Sequence, residues 1–197
     1  MLALKTWISI ITIVLTFISY IPYIVDIFKG KTKPHVFSWF VWGITTFLVY
    51  ALQMSAGAGT GAWVTMFLGA ICFFIFLLGL RNGNKNIKKV DIVFLLLAIS
   101  ALPLWLVADQ PILSIILLCT IDMLGFFPTI RKSWNDPYSE TLSLYAITTF
   151  RQILSFFALE EYSLVTYLFS VTWVFANALF SILLVWRRRR VKKTFSK

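Results

Sequence analysis

The feature that most constrains the fold of this chain is the alternating distribution of positive charge between seven hydrophobic stretches. The stretches comprise residues 6–28, 36–54, 61–80, 90–108, 111–130, 141–159 and 162–186. Of the 18 lysines and arginines, 16 lie in the turns after odd-numbered stretches or in the C-terminal tail. Lys5 alone lies at the opposite ends, and Arg151 lies inside a stretch. Because short membrane loops keep positive residues on the cytoplasmic side, we predict seven transmembrane helices, an N-terminus outside and a cytoplasmic C-terminus.

The composition agrees with an all-α polytopic membrane protein. The chain is 59% hydrophobic and only 13% charged, and one crossing takes about 20 apolar residues. Seven crossings therefore use nearly the whole length and leave no room for a soluble domain. The formal charge of +10 is attributed to topology and not to nucleic-acid binding. The basic cytoplasmic tail, residues 187–197, can in addition bind anionic lipid headgroups.

An internal repeat relates the first three stretches to the last three. Residues 20–24 read YIPYI and residues 126–130 read FFPTI, and each precedes a basic turn. We predict a first three-helix bundle over 1–80, a linker helix over 90–108 and a second bundle over 111–186. The linker restores the direction of entry, so the two bundles are predicted to be parallel and related by an axis along the membrane normal.

This layout resembles the PQ-loop and SWEET superfamily of seven-helix transporters. The resemblance rests on the 3+1+3 arrangement and on the proline of each first helix, followed by a basic turn and a serine. It implies that Pro22 and Pro128 act as hinges and that a substrate binds between the bundles. Trp39-Phe40-Val41-Trp42 gives a weaker resemblance to the PnuC-type vitamin carriers, whose Trp-x-x-Trp motif lies in the other bundle.

Two charged residues are predicted near the middle of the membrane. Asp122 lies eleven residues after the start of stretch 5, and Arg151 lies ten after the start of stretch 6, which places each at a depth of about 15 Å. An unpaired charge there costs about 2.5–3.5 kcal/mol. Because short turns make neighbouring helices adjacent, we expect an ion pair. It is interpreted either as a structural lock between the helices or as a proton or substrate site.

Polar residues of the last stretch are the predicted substrate-binding set. Thr166, Ser170, Trp173 and Asn177 are spaced four, three and four residues apart, so they share one helix face. We nominate Trp173 and Asn177 by analogy with SWEET-like carriers, and Ser170 from the shared face. Trp42 and Gln152, which neighbours Arg151, complete the set. The single histidine, His35, is interpreted as a solvated loop residue.

The predicted function is transport of a small polar metabolite, sugar-like or related, by alternating access. Transport is either facilitated or proton-coupled, and a nucleoside or vitamin is the alternative substrate. We expect neither an enzyme nor a cofactor or metal, because one histidine and one membrane-buried aspartate cannot build a zinc site. The rival interpretation is a non-transporting receptor-like or scaffold protein. A bacterial inner membrane is the expected location. Whether the protein forms a homo-oligomer is left open by the sequence.

Overall fold

The computed structural model describes residues 2–32, 34–83, 89–138 and 140–191, and within them the protein is all-helical. One short 3-10 turn, Gly59–Gly61, lies before α3. The seven α-helices are α1 Leu2–Phe28, α2 Val36–Ser55, α3 Ala62–Asn82, α4 Lys89–Leu106, α5 Pro111–Asn135, α6 Leu142–Ala158 and α7 Leu164–Arg190. α1 runs unbroken through Pro22. α7 extends through Arg187–Arg190, the first part of the predicted tail, whereas residues 192–197 lie outside the described residues.

The distribution of side chains on α1 indicates a membrane protein. Its buried face carries small hydroxyl residues, Ser9, Thr12, Thr16 and Ser19. Its exposed face carries large apolar residues, among them Ile11, Phe17 and Ile21. Soluble proteins place apolar residues inside, so this inverted pattern is typical of a helix whose outer face meets lipid. Thr12, Thr16 and Ser19 donate to carbonyls of their own helix at 2.6–2.8 Å, whereas the buried Ser9 hydroxyl has no hydrogen-bond partner among the described residues.

In the part of the chain that the structure describes, five helices are long and apolar enough to cross a membrane by length and composition: α1, α2, α3, α5 and α7. The apolar part of α4 is shorter, residues 92–106. α6 has 17 residues, and it contains Arg151. The membrane class predicted from the sequence is therefore supported by several long apolar helices.

Helix packing follows the same plan at both ends of the sequence. α3 packs against both α1 and α2, and α7 packs against both α5 and α6. Within the described residues, α1 and α2 touch through the rings of Tyr23 and Trp39, 5.4 Å apart, and α5 and α6 touch through those of Phe126 and Tyr145, 6.1 Å apart. Helices joined by these two short turns therefore meet through aromatic side chains, whereas each packs more extensively against the third helix of its set. The third helix of each set occupies the space between the first two.

Three further helix pairs join these sets. α1 packs against α6, and α2 packs against both α5 and α7. Thr45 of α2 bonds Asp122 of α5, whereas Lys5 and Asp26, near opposite ends of α1, bond Leu159 and Thr141. α1 and α6 therefore run antiparallel.

The ends of the helices form two groups, which we name the basic end and the distal end. The basic end contains the α1–α2 and α5–α6 connections and the C-terminus of α7, where Arg188 bonds the carbonyls of Pro137 and Glu140. The distal end contains the N-terminus of α1, the α2–α3 connection and the α6–α7 connection. Gln53 donates to the Thr166 carbonyl there at 2.7 Å, joining α2 to α7.

Candidate functional site

A cavity of about 460 Å³ lies among the helices, with walls from α1, α2, α3, α5, α6 and α7 and with Val90 of α4 as a further lining residue. Thr32, His35 and Glu140, all at the basic end, line its mouth. Asp122 and Arg151 line it deeper inside. No described residue of the distal connections contributes to the wall. The cavity therefore reaches the basic end and stops before the distal end.

Asp122 is the acidic group of the deep part. Its side chain is 1% exposed, and Oδ1 accepts a hydrogen bond of 2.7 Å from the Thr45 hydroxyl of α2. The Trp173 side chain of α7 is a second hydrogen-bonding neighbour. Three helices thus hold this carboxylate in place at the cavity wall.

Arg151 of α6 lines the same cavity and is also 1% exposed. Within the described residues, Nε, Nη1 and Nη2 have no hydrogen-bond partner. The expected hydrogen-bonded pair with Asp122 is therefore not formed. α7 packs extensively against both α5 and α6, whereas α5 and α6 touch through the Phe126 and Tyr145 rings, so equal depth does not bring the two charges together. A buried polar group without a partner costs about 1–3 kcal/mol, and more when it is charged.

Aromatic rings form much of the remaining wall. Trp39 and Trp42 of α2 meet edge to face with centroids 5.2 Å apart. Trp42 also meets Trp173 of α7 at 6.4 Å, and Trp173 meets Phe126 of α5 at 5.7 Å. These edge-to-face contacts link three helices and restrict ring rotation. The wall can therefore pack against an apolar or ring-containing ligand.

The structure brings most of the nominated substrate residues to the cavity. Trp42, Gln152, Trp173 and Asn177 all line it. Asn177 is 2% exposed, and its Nδ2 donates 2.7 Å to the Trp173 carbonyl of the same helix. That bond uses one amide hydrogen and leaves the other available.

Ser170 was nominated from the same helix face, and its place in the substrate site stays a prediction. It is fully buried, it does not line the cavity, and its hydroxyl bonds Ser155 of α6 at 3.4 Å. Its role is to join α6 to α7. One face of α7 both contacts α6, through Ser170, and lines the cavity, through Trp173 and Asn177. The spacing of residues along the sequence cannot tell these two roles apart.

The two proposed hinge prolines lie in α1 and α5. Pro22 is inside α1 and does not line the cavity, whereas its neighbour Tyr23 does. Pro128 falls within the bounds of α5, and its side chain lies outside the described part. The hinge role of both stays a prediction.

Sequence reasoning missed the residues around the cavity mouth. His35 precedes α2 as its half-buried N-cap, where Nδ1 accepts from the Ser38 amide at 3.3 Å, and it lines the cavity. Tyr145 donates its hydroxyl to Glu140 at 2.9 Å, and both line the cavity. A histidine three residues before a serine at a helix start is a weak capping signal. Nothing in the sequence indicates that Tyr145 and Glu140 form a pair at the mouth of the cavity.

The distal end is closed by contacts that we name the distal clamp: Lys5, the turn Gly59–Gly61 and the segment 159–160. The Lys5 ammonium donates to the carbonyls of Leu159 at 2.5 Å and Glu160 at 3.0 Å. The Thr60 amide donates to Glu160 Oε1 at 2.8 Å. Gly61 allows this close approach, since a Cβ there would lie 2.8 Å from the Ala158 carbonyl oxygen.

Comparison with known protein families, with curated proteins and with solved structures finds no match for this chain. The likeness to the PQ-loop and SWEET superfamily stays a prediction based on layout and on the paired prolines. The function is therefore argued from the cavity and from the two ends of the helices.

Proposed function

We propose that this protein moves a small polar metabolite across a membrane by alternating access. The observation that carries the proposal is a cavity with charged groups at depth, open toward one end of the helices and closed at the other. A soluble scaffold protein could contain a similar binding pocket, but the outer faces of its helices would not need to be apolar. A carrier requires both a wet internal site and a lipid-facing exterior.

The proposed topology has seven crossings, with the basic end in the cytoplasm. α4 and α6, the shortest, have 18 and 17 residues, so at 1.5 Å per residue they are about 27 and 26 Å long. That length is close to a hydrocarbon core of about 30 Å. The positive-inside rule then orients the cavity mouth inward. The compact connections fit a bacterial inner membrane.

The matched packing supports two parallel bundles, α1–α3 and α5–α7, with α4 as the linker. Exchanging α1 with α5 and α2 with α6 turns the α1–α6 contact into the α2–α5 contact, and both contacts are present. A twofold axis along the membrane normal produces this exchange. The cavity lies between the bundles, where parallel repeats place their substrates.

Alternating access requires the distal clamp to open while the basic end closes. The clamp joins α1 and the Gly59–Gly61 turn of one bundle to segment 159–160 of the other. Its hydrogen bonds involve one ammonium, one carboxylate and backbone groups, with few apolar contacts beyond Ala58, Ala62 and Leu159. Such a contact can be broken and remade, as the two states of a carrier demand.

The experiment that tests the proposal is flux into liposomes containing the purified full-length protein. A panel of radiolabelled sugars, amino acids, organic acids and nucleosides should include at least one solute that accumulates above protein-free liposomes. Trp173→Ala, which removes a ring of the cavity wall, should reduce that flux at least ten-fold. Trp7→Ala, which removes an exposed ring at the distal end of α1, is the matched control and should leave it unchanged.

Two results contradict the proposal. One is a well-folded protein that moves no member of the panel. The other is a protein that binds a solute with high affinity and still moves none, which supports the receptor-like alternative. Equal flux loss in Trp173→Ala and Trp7→Ala would show that the cavity wall has no specific role.

A further inference from the structure

We infer that the substrate carries a single carboxylate, which binds the Arg151 guanidinium at the deep end of the cavity. The inference rests on the proposed function for its transport step, whereas the binding step stands alone. It goes beyond a small polar metabolite because it specifies the charge and the shape of one end of the ligand.

The first argument is that the described residues supply no acceptor for Arg151. A guanidinium carries five N–H donors in a planar fork, and none of its three nitrogens has a partner in the described residues. Tyr20 of α1 and Cys72 of α3 are its electrostatic neighbours, and neither accepts a hydrogen bond from it. A buried cation in this state requires an anion, and a fork of parallel donors matches the two oxygens of a carboxylate.

The second argument is that the acidic groups lining the cavity are held elsewhere. Asp122 accepts from Thr45 and has Trp173 as a second neighbour. Glu140 is at the mouth and accepts from Tyr145. Arg151 is therefore left without an anion from the protein, while it lines the space in which a ligand would lie.

The third argument concerns the amount of negative charge that the site accommodates. The deep part holds one arginine and one aspartate, so a monoanion adds one charge beside Asp122. A phosphate ester carries about −1.5 to −2 at neutral pH, which would put much more negative charge close to the aspartate. A monocarboxylate is the better match, and one proton taken up at Asp122 would balance it.

The fourth argument concerns the rest of the ligand. Trp42, Trp173 and Phe126 form the aromatic wall, while Gln152 and Asn177 provide amide groups. A volume of about 460 Å³ lies within the usual range of about 300–1,000 Å³ for small-molecule sites. The expected ligand is a small carboxylic acid with an apolar or ring-containing body.

The test compares carboxylates with their neutral amides on the full-length protein in detergent, using quenching of tryptophan fluorescence. The probes are benzoate and benzamide, indole-3-acetate and indole-3-acetamide, lactate and lactamide, and phenyl phosphate. At least one acid should bind ten-fold or more tightly than its amide and than phenyl phosphate. Arg151→Gln should reduce that preference below three-fold, whereas the exposed Arg131→Gln should retain it.

The wild-type comparison keeps the inference falsifiable if Arg151→Gln does not fold, and Arg151→Lys, which keeps the charge and loses the fork, serves as a second variant. Preference for no acid, stronger binding of phenyl phosphate, or an acid preference that survives in Arg151→Gln would each overturn the inference. If amides and sugars are transported but acids are not preferred, the transport proposal stands without it. If an acid binds through Arg151 and no solute crosses the liposome membrane, the anion site stands and the transport proposal fails.

Discussion

Removing the ammonium of the distal clamp should shift the protein toward the state that is open at the distal end. In Lys5→Met the bonds to the carbonyls of Leu159 and Glu160 are lost. The contact of the ammonium with the Tyr162 ring, 4.8 Å from its centroid, is lost as well. The methionine keeps a similar apolar length, so packing changes little.

The size of the shift follows from these contacts. A net hydrogen bond contributes about 0.5–1.5 kcal/mol, and a partly exposed cation–π contact contributes about 0.5–1 kcal/mol. Two bonds of about 1 kcal/mol and one ring contact give about 2.5 kcal/mol. Since about 1.4 kcal/mol is a factor of ten, the distally closed state should lose population by 10- to 100-fold relative to the open state.

Cys72 provides the reporter for this shift. It lines the cavity and is 4% exposed, so a membrane-impermeant maleimide added outside reaches it only when the distal end opens. Cys119→Ala removes the second cysteine. The labelling rate in right-side-out vesicles should rise at least ten-fold in Lys5→Met and stay unchanged in Lys29→Met, which removes an exposed lysine at the other end of α1.

Unchanged labelling from outside in Lys5→Met would refute the clamp. A rate that rises equally from both sides would also refute it, because it would indicate loosening of the whole fold and not opening of one end.

Three further predictions concern the cavity. If transport is proton-coupled, an acidic exterior should stimulate uptake by the wild-type protein in vesicles but not by Asp122→Asn, because the amide cannot carry the proton. The exposed control Asp109→Asn should respond as the wild type does. A stimulation that survives in Asp122→Asn contradicts the proton role. Thr45→Val removes the 2.7 Å bond to that carboxylate and should weaken substrate binding about 10- to 100-fold, given about 1.5–3 kcal/mol for a bond to a charged group. The outward-facing Thr120→Val, whose hydroxyl bonds its own helix, should change it less than two-fold by fluorescence titration. Ser170→Ala should leave the dissociation constant within two-fold and lower the free energy of unfolding by about 1 kcal/mol, and a large loss of affinity would return this serine to the site.

The sequence contains most of the information on how the chain relates to a membrane. Helix length, apolar character and the position of lysines and arginines are local properties that need no knowledge of packing. The periodicity of a helix also places Trp173 and Asn177 on one face, and both line the cavity. Trp42 and Gln152, which were not nominated from that periodicity, line it as well.

Tertiary packing decided the relations between the charged groups. Equal depth along two consecutive helices suggested that Asp122 and Arg151 meet, yet α7 packs against both helices, and Arg151 has no hydrogen-bond partner among the described residues. Periodicity defines a helix face and not the helix that it meets. Ser170 illustrates the same point, because its face serves both the cavity and the contact with Ser155.

The distal clamp is the part of the molecule about which the sequence is least informative. Lys5 and Glu160 are 155 positions apart, and neither belongs to a pattern that marks a contact. A hydrogen bond between such residues exists only because α1 and α6 run antiparallel side by side. The sequence by itself therefore determines which segments are apolar and where their charges lie, whereas the pairing of helices, a property of the whole chain, determines what those charges contact.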